Sequence, residues 1–179
     1  MNAALAEALT KCTQIVAGLD FNLQKRKMVE VQGWTQEAVD IMENEYRKFL
    51  ALSAALEVTQ DETVVVPNRT IDLFWHAHIM DTEKYHNDCD AVFGHYLHHF
   101  PYFGMQDSAD TQNWQNCSSN ANALWEEAFG DPLYEEHTNE DAYQLDKKWA
   151  TDLSKSIVVS AMSPPKRCMR KNCKPQKCR

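Results

Sequence analysis

Between Asp72 and Gly104 the chain reads DLFWHAHIMDTEKYHNDCDAVFGHYLHHFPYFG, and six of its seven histidines fall there: His76, His78, His86, His95, His98 and His99. Tyr85 and Cys89, the latter flanked by Asp88 and Asp90, share the stretch. Imidazole is a good ligand for zinc, iron, copper and nickel at neutral pH, and a nearby carboxylate or thiolate narrows the choice. The clustering points to metal chemistry, with zinc or iron as the expected divalent transition metal. His76, His78, His98 and His99 are the candidate ligands.

On a regular helix residues two apart point about 200° apart, so His76 and His78 cannot hold one ion together. One face carries Asp72, His76, Met80, Glu83 and Asn87, and the other carries His78, Thr82, Tyr85 and Cys89. Three arrangements follow. A single site could take His78, Cys89 and a histidine from the His98-His99 corner. Asp72 could instead orient His76, in a carboxylate–imidazole pair that either supports a metal ligand from behind or works as a general base. A helix break near Asp81 would relax the two-face rule and let both histidines converge. His95 and His99, four apart, also have a metal-pair spacing if the helix continues so far. The catalytic candidates are Asp72, Tyr85 and Cys89. A histidine-activated Cys89 nucleophile ranks below ligation, because its aromatic neighbours imply burial.

A purely structural explanation stands beside these. Leu73, Phe74, Trp75, Ile79, Val92, Phe93, Leu97, Phe100 and Phe103 commit much of the segment to a core, where a histidine is often a hydrogen-bonded packing residue. His86 and His95 are expected to face solvent.

The elements that must position this stretch read as helices. Leu5, Leu9, Cys12, Ile15, Val16 and Leu19 recur at helical spacing up to Gly18, and a second helix fits Asn22 to Val31 with Gly33 as its stop. Thr35 is an N-cap for a helix of about twenty residues bearing Met42, Tyr46, Phe49, Leu52 and Leu56, in which Glu43 and Arg47 form an exposed i,i+4 pair. Val64-Val-Val-Pro67 is an extended segment or isolated edge strand. Asn68 or Thr70 can cap the central helix, and Pro101 limits it. Met105 to Asn122 is polar and reads as loop or weak helix around Trp114. A short helix then covers Ala121 to Phe129, and a last one Asp141 to Ile157.

With these residues in place, Asp72-Leu-Phe-Trp-His-Ala-His, Asp81-Thr, Tyr85, Asp88-Cys89, Phe93-Gly94 and His98-His99-Phe-Pro-Tyr-Phe-Gly104 resemble the signature of the glycine-rich domain-containing-protein-like family of plants and bacteria. Tyr46-Arg-Lys-Phe-Leu-Ala-Leu52 is similar to that family's preceding helix, so the resemblance spans roughly residues 20 to 130. It implies importance for Asp72, Trp75, His76, His78, Tyr85, Cys89 and His98 without naming a reaction. The glycine-rich region and RNA-binding additions of some plant members have no counterpart here, so their nucleic-acid roles are not carried over.

The length of 179 residues, 44% hydrophobic and 25% charged, fits one globular domain rather than a disordered chain. Few glycines and prolines favour helices over a barrel. The expected fold is all-α: a single helical domain over residues 1–160 with a long central His-rich helix, then a basic cysteine-containing tail over 161–179. The net charge of −8 hides an asymmetry, because Pro164 to Arg179 holds seven basic residues and no acidic ones, leaving −15 on the remainder. Cys168, Cys173 and Cys178 sit among those basic residues, at a spacing unlike that of zinc knuckles. The tail could bind a soft metal, pair in disulfides, or touch an acidic partner or nucleic acid by charge. No stretch is apolar enough to span a membrane, and the N-terminal helix lacks the basic start of a signal peptide, so a cytoplasmic protein is expected. There is no phosphate-binding glycine loop, nucleophile elbow, H-E-x-x-H or dinucleotide fingerprint. The sequence thus points to a metal-binding helical protein, either a metal-dependent enzyme acting on an unidentified small molecule or protein, or a non-catalytic metal-stabilised interaction module. In the enzyme, His76, His78 and a histidine of the His98-His99 pair hold zinc or iron with a position open, and Asp72 orients a ligand.

Overall fold

The helix that Thr35 announces is the longest element and the one around which the others assemble. In the computed structural model α3 runs Gln36–Thr59, with the Thr35 hydroxyl accepting from the Ala38 N–H and Gln60 closing the helix in the left-handed region. Before it come α1 (Ala3–Ala17) and α2 (Asn22–Glu30); after it come α4 (Arg69–Ile79), α5 (Thr82–Phe93) and α6 (Ser108–Phe129). The structure describes residues 1–134, part of a compact unit spanning Met1–Glu136. All secondary structure among the described residues is helical, as composition implied, and none of these helices is long and apolar enough to cross a membrane. The helix expected over Asp141 to Ile157 and the cysteine tail lie outside the described residues.

α3 buries ten side chains, among them Tyr46, Phe49, Leu52 and Leu56, and its small Ala51, Ala54 and Ala55 let neighbouring helices approach closely. α1 lies along it through Leu5, Leu9, Cys12 and Val16, and α4 packs on it through Ile71, Phe74 and Trp75. Each large apolar side chain taken out of water contributes about 1.5–3 kcal/mol. Phe21, between α1 and α2, stands edge-on to Phe74 at 5.4 Å, tying that corner to α4.

Three elements differ from the sequence reading. The Glu43–Arg47 pair is half-buried rather than a surface ornament: the Arg47 guanidinium donates to the Val16 and Leu19 carbonyls and lies over the Phe21 ring. Arg47 thereby adds a donor to carbonyls at and just beyond the end of α1 and ties that end to α3. The central helix is two helices, broken at Met80-Asp81 as one reading allowed. Asp81 is the N-cap residue of α5, but its side chain makes no cap; its Oδ2 accepts from Gln24 of α2 at 3.0 Å. The stretch from Met105 onward is mostly one helix, because the Asp107 side chain caps it at the Asp110 N–H and burial of Ala121 and Trp125 outweighs its polar composition.

The segment between α3 and α4 is extended, with Val65 and Val66 buried. It is secured at its far end. Asn68 caps α4 by accepting from the Ile71 N–H and donates from its amide to the Leu133 carbonyl at 2.8 Å. The Tyr134 hydroxyl donates to the Val66 carbonyl at 2.6 Å, and Asn122 of α6 accepts from the Leu133 and Tyr134 N–H groups.

Candidate metal centre

Asp72 sits in the first turn of α4 and His76 one turn further on, so both project from one side of the helix. The third member comes from the loop after α5. Gly94 ends α5 in the left-handed conformation, and the chain turns back toward α4. The Tyr85 hydroxyl fixes the returning strand of loop: it accepts from Trp75 Nε1 at 2.8 Å and donates to the Leu97 carbonyl at 2.6 Å. Two residues later the His99 ring meets Trp75 edge to face at 4.6 Å.

This brings His99 Nε2 to 2.7 Å from Asp72 Oδ1, and His76 Nε2 to 3.6 Å from the same oxygen. The two imidazole rings are tilted together with centroids 4.7 Å apart. One ligand atom from each of Asp72, His76 and His99 can be chosen so that all three lie within 4.8 Å of one another. With metal–ligand bonds of about 2.0–2.2 Å, neighbouring ligand atoms stand roughly 3.0–3.5 Å apart at angles between square and tetrahedral. The observed 2.7 and 3.6 Å distances to Asp72 bracket that span, and all three ligand atoms lie within 4.8 Å, so an ion requires the side chains to draw closer together. The group is graded in exposure: the His99 side chain is 14% accessible, Asp72 34% and His76 53%.

Asp72 and His99 also reach a cavity of about 410 Å3, bounded by residues 64–67, Trp75, residues 98–101, Phe103 and Trp114. Gly104 makes its outer wall feasible. Its φ is +86°, and a Cβ there would come within 2.9 Å of Trp114 Cγ, so a glycine lets α6 close on the loop. Asp110 holds the contact by accepting from the Gly104 and Gln106 N–H groups.

His78, two residues from His76, points the opposite way. It is 1% exposed, with Nδ1 3.0 Å from the Tyr46 hydroxyl and edge contacts to Phe21 and Tyr85. Its Nε2 lies 3.0 Å from Asp88 Oδ2, close but out of line for a hydrogen bond, and Lys84 donates to the same carboxylate oxygen at 2.7 Å. Burial pushes the imidazole down to about 4 against the opposing pull of Asp88, so His78 is neutral at physiological pH. Tyr46 is held protonated, above its ordinary range, by the same burial.

The sequence candidates therefore divide. Asp72, His76 and His99 come together. His98 is exposed, lines the cavity and packs against Tyr96, outside the three-residue group. Tyr85 and Cys89 are buried on the His78 side; burial raises both, which keeps the thiol protonated and withholds the thiolate. The arrangement joining His78, Cys89 and the His98-His99 corner is not formed, because His99 is engaged on the opposite face of α4. His86 and His95 are exposed, as expected, with His95 Nε2 2.8 Å from Glu57. The i,i+4 spacing of Asp72 and His76 was legible in the chain, whereas the placing of Asp72 within a three-residue group, of His99 rather than His98 beside it, and the cavity required the loop geometry.

No curated protein and no solved structure matches this chain. A family model does: it covers residues 14–123, from α1 into α6, and so includes Asp72, His76, His99 and every segment lining the cavity. The chain belongs to the UCP032817-like family.

Proposed function

We propose that the protein is a metal-dependent enzyme that holds a divalent transition metal, zinc or iron, through Asp72, His76 and His99. The observation carrying this reading is the convergence of two imidazoles and a carboxylate from separate elements within 4.8 Å. Two histidines and one carboxylate are the donor set of mononuclear hydrolytic zinc and non-haem iron centres, which keep coordination positions open for water or substrate. Such an ion, when bound, polarises a substrate oxygen or lowers the pKa of a bound water. Trp75 and the Tyr85 hydroxyl then act from behind, fixing the loop that carries His99. The free thiols Cys12, Cys89 and Cys117 fit a reducing, cytoplasmic setting. Kinship with the glycine-rich domain-containing-protein-like family, carried by the Trp75-His76-Ala77-His78 and His98-His99-Phe100-Pro101 motifs, belongs to the same proposal.

Elemental analysis of untagged protein tests it. We expect one zinc or iron per chain, lost in Asp72→Ala, His76→Ala and His99→Ala variants that remain folded. Protein that contains no ion as purified and takes none up on reconstitution overturns the reading. The 2.7 Å contact of His99 with Asp72 favours a second reading, in which an ion only ties the loop to α4 and the protein is an interaction module whose basic tail engages an acidic partner or nucleic acid. An exchangeable metal-bound water distinguishes the enzyme from that module.

A further inference from the structure

The cavity beside Asp72 and His99 has a polar end and an otherwise apolar interior. Val65, Pro67, Trp75, Phe103 and Trp114 are among the apolar residues that line it. Its volume of about 410 Å3 falls within the range of small-molecule sites. Among the described residues no lysine or arginine lines it, so the cation at its polar end would be the ion that Asp72, His76 and His99 could hold. A divalent ion with one carboxylate and two neutral imidazoles keeps a formal charge of +1, which an incoming oxyanion neutralises. At the rim, Phe100 remains 56% exposed and Trp114 38% exposed, an arrangement of open rings that a flat apolar ligand would cover.

We propose that the cavity binds a small aromatic molecule bearing an oxygen anion, a carboxylate or phenolate, with the ring among Val65, Phe103 and Trp114 and the oxygen on the metal. This inference rests on the metal reading above. The ring and the oxygen are recognised separately: the apolar walls select the ring, and the open coordination position takes the oxygen.

The test uses the full chain, untagged and loaded with cobalt(II), whose visible absorption reports on its ligands. Benzoate and acetate offer the metal the same carboxylate, with and without a ring. We expect benzoate to shift the cobalt spectrum with a Kd at least about tenfold lower than that of acetate, and to change tryptophan fluorescence in parallel. Phe103→Ala should weaken benzoate binding roughly tenfold while leaving acetate affinity and cobalt stoichiometry unchanged. Phe103→Leu keeps apolar volume if the alanine variant fails to fold, and should give a smaller loss in the same direction. Cobalt bound one per chain with equal affinity for benzoate and acetate overturns the cavity inference and leaves the metal centre standing. Wild-type benzoate affinity in both Phe103 variants overturns it equally. Failure to take up cobalt, zinc or iron overturns the metal centre, and this inference with it.

Discussion

His76 and His78 are chemically identical side chains separated by one alanine, yet α4 gives them opposite environments. His76 stands half in solvent beside Asp72 and His99, its ring tilted against that of His99. His78 is sealed among Phe21, Tyr46 and Tyr85, with a carboxylate and a lysine close behind it. The helical rotation between them separates a half-exposed imidazole from one that is sealed in the core and hydrogen-bonded through Nδ1 to Tyr46. A histidine cluster in sequence is therefore not one site: on one side of the helix the residue joins a group that could hold a metal, and on the other it is buried in the core.

The largest effect that would break or sharpen this contrast is His78→Ala. Removing the ring leaves a buried void and strips the Tyr46 hydroxyl and the Asp88 carboxylate of a neighbour, so a loss of about 3–5 kcal/mol in urea unfolding is expected. Metal bound per folded chain should not change; a loss confined to metal content would assign His78 to the site and dissolve the distinction.

Acid should reveal the same asymmetry. The folded pKa of His78 is depressed to about 4 from an ordinary 6.5, so below 6.5 the unfolded chain binds a proton that the folded one refuses. Stability is then full above pH 6.5 and falls as the pH drops toward 4, by up to about 3 kcal/mol from this group. Tyr46, Lys84, Asp81 and Asp88 face or flank the ring, and only the two carboxylates favour its protonation. Unfolding midpoints measured across that range check the slope, and a flat profile contradicts it.

Tyr85→Phe tests the link between the two faces. Losing the hydroxyl leaves Trp75 Nε1 and the Leu97 carbonyl without their buried partner, at a cost of about 1–3 kcal/mol. Because Leu97 is two residues from His99, metal affinity should fall as well, by roughly 10–100-fold, the scale seen for groups that orient ligands. Unchanged metal affinity in the variant would separate loop anchoring from the centre. The smallest stability change is expected for His76→Ala, within about 0.5 kcal/mol, as for other exposed positions. Its metal affinity should nonetheless drop by more than about 100-fold, and isothermal titration with zinc measures both variants on one scale.

Much of the fold could be read from local chemistry. The Thr35 cap, the Asn68 cap and the apolar stripe of α3 are local signals, and the structure keeps all three. The divergence of His76 from His78 follows from helix geometry alone. What could not be read depends on contacts distant in sequence. Arg47 has the spacing of a surface ion pair, and only the approach of α1 turns it into a clamp on the Val16 and Leu19 carbonyls. The first part of α6 reads as loop or weak helix by composition and only its end, from Ala121, as helix, since the buried residues Ala121 and Trp125 lie in that last part. His99 and His98 are equivalent as letters; the Trp75–Tyr85–Leu97 bonds, which set the path of the loop, choose between them.

The latch at Asn68, Asn122 and Tyr134 bears on how the cavity exchanges its contents. Residues 64–67 are held at the Val66 carbonyl by Tyr134 and, just beyond, at Asn68 by Leu133, so displacing that segment would break two part-buried hydrogen bonds. The opposite side depends on Gly104, Asp110 and the partly exposed rings of Phe100 and Trp114. The cavity thus has one lining segment tied down at Val66 and Asn68 and, at Phe100 and Trp114, rings left partly open to solvent.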